Sequence, residues 1–345
     1  MNQEITNYAL SIDKKMKLLI KMLMLLTVLS SCEKDETTNT VIPNSMTVKS
    51  SSTYTVDVEL NVKYGEGLSH QTINSPSYSI MDLRLDVYKP ANTTKKKPAI
   101  LLIHGGGFVG GDKSDVNIVN LCNYFASRGW VAFSINYRLQ GNKGTVPTEW
   151  VQYAQNKIPL ADQSQFLALY PAHRDAKAAL RWLIANADQY NIDTNYITVG
   201  GGSAGAIIAT TSGITNKIDF TNEISLTNDP SLATTNLNTN NYSIKTILDF
   251  WGSGVAVTAN NTIYGYNRFD ATDAPLMIAH GTVDPTVLYS EALALRDNYI
   301  ATGANYILYT LENRGHGPWD ANVNGKSLSE LSFDFIVAQQ NIVVE

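Results

Sequence analysis

The chemistry-bearing text of this 345-residue chain lies in two glycine-rich stretches. One is His104-Gly105-Gly106-Gly107-Phe108. The other is Gly201-x-Ser203-x-Gly205, which follows the apolar run Tyr196-Ile197-Thr198-Val199 and leads into Ala206-Ile207-Ile208-Ala209. A serine flanked by glycines between a strand and a helix can sit on a sharp turn with its Oγ exposed, as a nucleophile must. The N-terminus of the helix behind it favours negative charge forming nearby. Three successive glycines after His104 leave backbone N–H groups unhindered and able to point at a developing oxyanion. A phosphate-binding reading of that loop is set aside, because neither a P-loop pattern nor a strand–G-x-G-x-x-G–helix unit follows. His104 itself is read as bracing the loop.

These turns need a scaffold, and the apolar periodicity supplies one. Tyr54 to Val62 and Met81 to Tyr88 alternate apolar and polar residues, which predicts half-buried strands at an antiparallel sheet edge. Ala99–Ile103 and Trp130–Ile135 are continuous apolar runs, the pattern of strands covered on both faces. Asn117–Ser127 has helical spacing and carries Cys122 on its apolar side, a packing position. Further helices are expected over Arg174–Ala187, Ser203–Gly213, Val287–Ala301 and Leu328–Gln340. Further strands are expected over Asn195–Val199, Ile244–Phe250, Pro275–Ala279 and Asn305–Leu311. Strand–helix alternation of this kind predicts an α/β fold with a mostly parallel sheet and helices on both faces. The segments 139–170 and 214–243 are poor in such signals and are read as lids or pocket walls.

With 26 basic and 31 acidic residues the formal charge is −5, and the longest basic stretch is Lys95-Lys96-Lys97. This argues against a nucleic-acid partner. Two cysteines, Cys32 and Cys122, make no disulfide framework and no cysteine-based zinc site.

Met16-Lys17-Leu18-Leu19-Ile20-Lys21 and the apolar residues to Leu29 have the basic start and short apolar core of a signal peptide; the run is too short to span a membrane. Residues 1–15 precede this second candidate start. The run ends in Leu29-Ser30-Ser31-Cys32, which resembles the bacterial lipobox, so Cys32 is expected to be lipidated. Glu33-Lys34-Asp35-Glu36 is similar to the surface-export signal of lipoproteins in the Bacteroidetes group. Residues 1–31 are thus read as a lipoprotein signal peptide, 32–52 as a flexible tether and 53–345 as one catalytic domain. The expected address is the outer membrane of a Gram-negative cell, facing outward.

Ile103-His104-Gly105-Gly106-Gly107-Phe108-Val109-Gly110-Gly111-Asp112-Lys113, Ser134-Ile135-Asn136-Tyr137-Arg138-Leu139, Arg174-Asp175-Ala176-Lys177 and the Gly-Gly-Ser-Ala-Gly turn occur in the order and spacing of a known family. The chain resembles the α/β-hydrolase carboxylesterases similar to hormone-sensitive lipase and the bacterial feruloyl-esterase-like enzymes. Asn136 departs from the Asp usual before Tyr-Arg. The resemblance implies a triad in which the acid and then the histidine follow the serine. Only His280 and His316 follow Ser203, and Asp284 falls just past a strand end. The resemblance therefore implies Ser203 as nucleophile, His316 as base and Asp284 as its orienting acid, with Asp249 as the alternative acid and His280 structural. It also implies an oxyanion hole of the Gly106, Gly107 and Ala204 N–H groups, and a need for neither metal nor cofactor. Phe108, Trp251 and Trp319 are candidate walls of a pocket for short or aromatic acyl esters, including those of polysaccharides. The rival readings are a prolyl-oligopeptidase-type peptidase, a lipase and a non-catalytic surface binding protein.

Overall fold

The computed structural model describes residues 45–239 and 242–345, so the expected signal peptide and Cys32 lie outside the described residues. In chain order the elements are β1 (Thr47–Val48), β2 (Val56–His70), β3 (Tyr78–Pro90), β4 (Lys97–Ile103), α1 (Val116–Ala126), β5 (Val131–Ile135), α2 (Thr148–Lys157), α3 (Gln163–Ala185), β6 (Ile192–Gly202), α4 (Ala204–Ile214), β7 (Ile244–Phe250), α5 (Val255–Tyr264), β8 (Leu276–Gly281), α6 (Tyr289–Thr302), β9 (Tyr306–Leu311), β10 (Asn322–Val323), β11 (Lys326–Ser327), α7 (Leu328–Gln340) and β12 (Val343–Val344). Eight of the strands form one sheet in the order β2-β3-β5-β4-β6-β7-β8-β9. The β2–β3 and β3–β5 pairs are antiparallel and the others parallel.

The pleat sorts the core. Leu101 and Ile103 of β4 join Phe133, Val199, Ile247 and Ile278 in a layer packed against α3, α4 and α6. Their neighbours Ile100 and Leu102 join Ala132, Leu248, Phe250 and Met277 under α1 and α7. These strands are almost continuously apolar because both faces are covered. Cys122 is buried in the second layer with a free thiol. The register pairs Ile103 with Gly201, Gly202 with Phe250 and Phe250 with Ala279. The carboxyl ends of the central strands therefore finish together, and the loops that leave them share one edge of the sheet.

Three expectations need correction. Residues 45–52 are not free tether: Met46 and Val48 are buried, and Thr47–Val48 pairs in parallel with Val343–Val344. The start of β2 is not half-buried, since Val58 and Leu60 are exposed; register shifts between Glu59 and Val62 and between Lys63 and Gly65 break the alternation, and burial begins at Tyr64. The segment 139–170 is not a bare loop, because it holds α2 and the first turns of α3.

Helix α3 also runs eleven residues further towards the N-terminus than its apolar stripe suggested, passing through Pro171. Its polar side is covered by the segment after α4. Lys177 Nζ donates to the carbonyls of Asn216 and Asp219 at 2.5 and 2.9 Å, and Arg181 Nε to that of Thr235 at 2.9 Å. Burial pushes the Lys177 ammonium down to about 7 against the pull of nearby Asp219 and Glu223.

Candidate active site

Ser203 stands between β6 and α4 with φ 55° and ψ −121°, a left-handed conformation that a non-glycine residue holds only when its surroundings enforce it. Close packing does so. The Ser203 N–H donates to the Phe250 carbonyl at 2.9 Å. A Cβ on Gly201 would come within 2.5 Å of the Ile103 carbonyl oxygen, and one on Gly205 within 2.0 Å of the same atom. Only glycine lets strand β4, strand β6 and helix α4 meet this closely.

From this turn the Ser203 hydroxyl donates to His316 Nε2 at 2.9 Å, and His316 Nδ1 donates to Asp284 Oδ2 at 2.7 Å. His316 lies on the loop after β9, and Asp284 on the loop after β8. The other Asp284 oxygen accepts the N–H groups of Thr286 and Val287 at 2.8 and 3.0 Å, so the carboxylate is held from both sides. Asp249 lies elsewhere. It is fully buried within β7, where its oxygens accept from Gly252 N–H at 2.7 Å and from the Thr210 hydroxyl at 2.9 Å. His280 donates from Nε2 to the Val287 carbonyl at 2.8 Å, which ties down the loop that carries Asp284.

The loop that carries Gly106 and Gly107 reaches this turn through Gly105. A Cβ on Gly105 would approach the Gly202 carbonyl to 2.9 Å and the Ser203 Cβ to 3.4 Å. Gly106 and Gly107 both have positive φ, 106° and 60°. His104 Nδ1 donates to the Gly105 carbonyl at 2.7 Å while its ring stacks on Tyr137, 4.4 Å between centroids. Burial pushes the His104 imidazole pKa down, which favours the neutral ring. Ala204 opens α4, whose first N–H groups have no partner within the helix. Asn136, the departure from the family pattern, donates from Nδ2 to Asp112 at 2.7 Å and accepts the Lys113 N–H at 2.6 Å. A carboxylate at 136 could not make that donation.

A cleft of 410 Å³ opens over Ser203 and His316, walled by Gly105–Gly107, Trp251 and Trp319 and bordered by Asp115 and Thr286. The two indoles meet edge to face at 4.7 Å, and Trp251 lies 6.5 Å from the His316 ring. Phe108, expected in the pocket, is not among the lining residues. With φ 62° its ring turns inward against Tyr137 and His173. Nor do the described residues of 139–170 and 214–243 wall the cleft; residues of both segments line a separate polar cavity of 570 Å³ beside the β2–β3 turn. Asp115 and Thr286 were missed from sequence, although Asp115 carries the ordinary signal of a helix cap.

A mostly parallel sheet that gathers the Ser203 turn and the loops of Asp284 and His316 on one edge has the α/β-hydrolase fold, and solved structures agree. The esterase 2 of Thermogutta terrifontis phosphorylated by paraoxon superposes with a TM-score of 0.56 at 22% identity, over 82% of this chain and 94% of that one. A truncated carbohydrate esterase from gut microbiota gives 0.55 at 20% identity, over 85% and 99%. A family model described as BD-FAE matches residues 85–152 and 161–262. In sequence the chain is similar to the esterase LipC of Mycobacterium tuberculosis, 29% identical over 133 residues, which are 38% of this chain and 27% of the relative. The chain spans about a quarter of the length of the curated relatives it matches.

Proposed function

We propose that the protein is a serine carboxylic-ester hydrolase. The observation that carries this reading is the continuous hydrogen-bonded series from Ser203 through His316 to Asp284 at the floor of a cleft. His316 takes the Ser203 proton as Oγ attacks the acyl carbonyl, then returns it to the departing alcohol. Asp284 keeps the imidazole proton on Nδ1 and stabilises the imidazolium that forms. The N–H groups of Gly106, Gly107 and Ala204 receive the oxyanion, each such donor lowering the barrier by about 3 kcal/mol. Water then attacks the acyl-enzyme, with His316 again as base, and releases the acid. The similarity to curated esterases supports the same chemistry.

The favoured substrates are short or aromatic acyl esters, including acetyl or feruloyl groups on polysaccharides. Trp319, packed edge to face on the buried Trp251, offers an apolar surface to an aryl group or sugar ring, and Asp115 and Thr286 are hydrogen-bond partners for substrate hydroxyls at the rim. In a chain-length series of p-nitrophenyl esters, a cleft of this kind predicts a maximum at about two to four acyl carbons and less than about a tenth of that rate by about twelve. A maximum at long chains would instead indicate a lipase.

The N-terminal sequence supports attachment to the outer membrane through a lipidated Cys32, with the domain facing outward. Cys32→Ala should move the protein from the membrane to the soluble fraction, since a lipoprotein anchor depends on its acyl chains. Unchanged partition would rule the anchor out.

A further inference from the structure

The loop that carries Gly106 and Gly107 is held by four successive carbonyls, each with its own donor. The Gly105 carbonyl accepts from His104 Nδ1 at 2.7 Å, and the Tyr137 hydroxyl is shared between it, at 3.3 Å, and the His104 carbonyl, at 3.1 Å. The Gly106 carbonyl accepts the N–H groups of Val109 and Gly110 at 3.0 and 3.1 Å. The Gly107 carbonyl accepts from the Gln165 side-chain amide, Nε2, at 2.7 Å, and the Phe108 carbonyl from the Gln140 N–H at 2.7 Å.

In a trans peptide the N–H points opposite to the preceding carbonyl. Fixing the Gly105 and Gly106 carbonyls therefore aims the Gly106 and Gly107 N–H groups away from those partners, and both glycines line the cleft. The next two residues are the vulnerable part. Gly107 and Phe108 are successive left-handed residues, with φ 60° and 62°, a state a phenylalanine rarely holds unaided. Their carbonyls are held from outside the loop, by a helix and a turn of the 139–170 segment. Gln165 sits in the first turn of α3 and Gln140 opens a short 3₁₀ turn; the two are linked through Gln140 Nε2 and Ser164 Oγ at 3.0 Å.

We infer that Gln165, with the Gln140 N–H, is a positioning residue for the oxyanion hole: the pair clamps the Gly107–Phe108 turn, which keeps the following Val109 and Gly110 N–H groups on the Gly106 carbonyl and so the Gly107 N–H aimed at the reacting carbonyl. The inference rests on the ester-hydrolase reading above. It gives the 139–170 segment a role at the site even though none of its residues lines the cleft.

The clamp is tested with p-nitrophenyl acetate and with a trifluoromethyl ketone, which adds Ser203 reversibly to form a tetrahedral oxyanion. Gln165→Met keeps the length of the side chain and removes the donor. Gln140→Pro removes the backbone donor at the first position of a 3₁₀ turn, after an extended Leu139 (ψ 170°), where proline fits. Because the Gln165 bond is exposed to water, each variant should lower kcat by about five-fold, leave KM within about two-fold and weaken the ketone by the same factor as kcat. A purely structural contact would lower the melting temperature while leaving kcat and ketone affinity within about 1.5-fold of wild type, and that result in both variants would overturn the clamp. A wild-type protein inactive on every ester of the series would overturn the hydrolase reading and the clamp with it; an active wild type with unchanged variants would overturn the clamp alone.

Discussion

Two buried carboxylates stand at the carboxyl edge of neighbouring strands, Asp249 on β7 and Asp284 after β8, and their surroundings assign them different work. Asp249 is still inside its strand, so the pleat directs its side chain to one face of the sheet, where the Thr210 hydroxyl of α4 and the Gly252 N–H receive it. Asp284 lies three residues past the end of β8, where the chain is free to turn its carboxylate along the sheet edge towards His316. Burial pushes the Asp249 carboxyl up from the ordinary carboxylate range, offset in part by Gly252, His280 and Thr210. The difference teaches that proximity to a strand end does not bring a carboxylate to His316; the side chain must have left the pleat.

The comparison can be broken by exchanging each acid for its amide. Asp284→Asn should lower kcat by about three to four orders of magnitude, because the amide favours the wrong imidazole tautomer and cannot stabilise the imidazolium. Asp249→Asn should leave kcat within about three-fold, since it touches neither His316 nor the cleft. Reversal of that order in steady-state kinetics would make Asp249 the acid.

A smaller effect sharpens the contrast. A carboxyl whose pKa is raised on folding binds its proton more tightly in the native state. Its contribution is therefore complete below the unfolded carboxylate pKa of about 4, and it is lost as the pH rises through the native value. The stability of wild type relative to Asp249→Asn, measured by urea unfolding, should fall as the pH is raised from about 4. A relative stability that rises over that range would mean that Asp249 is held as a favourable carboxylate, as a catalytic acid would be.

Much of the site was legible because its chemistry is local. The glycines around Ser203 and after His104 are there for steric reasons that hold wherever a strand, a turn and a helix meet closely. The central strands were equally plain, since burial on both faces makes them read as nearly continuous apolar runs; β7 and α7 were placed to the residue. What was not legible depends on partners distant in sequence. Arg174, Lys177 and Arg181 share a helix face that periodicity assigns to solvent, yet Asp229 and the carbonyls of Asn216, Asp219 and Thr235 cover them. Pro171 hid the first half of α3, because it removes the hydrogen bond that would otherwise reach Leu167. Phe108 looked like a pocket wall by adjacency to Gly107, but its positive φ sends the ring into the core. The tether boundary failed for a similar reason, since β1 finds its partner at the opposite end of the chain.

The central claim, that Ser203 is the nucleophile activated by His316, is tested most directly by its covalent capture. Paraoxon transfers its diethylphosphoryl group to an activated serine Oγ with release of p-nitrophenol, and the modified peptide can be identified by mass spectrometry. The account predicts stoichiometric modification of the peptide containing Ser203, in step with loss of esterase activity, and none in Ser203→Ala. Modification at another residue with equal loss of activity, or a Ser203→Ala protein that keeps a tenth or more of wild-type turnover, would contradict it.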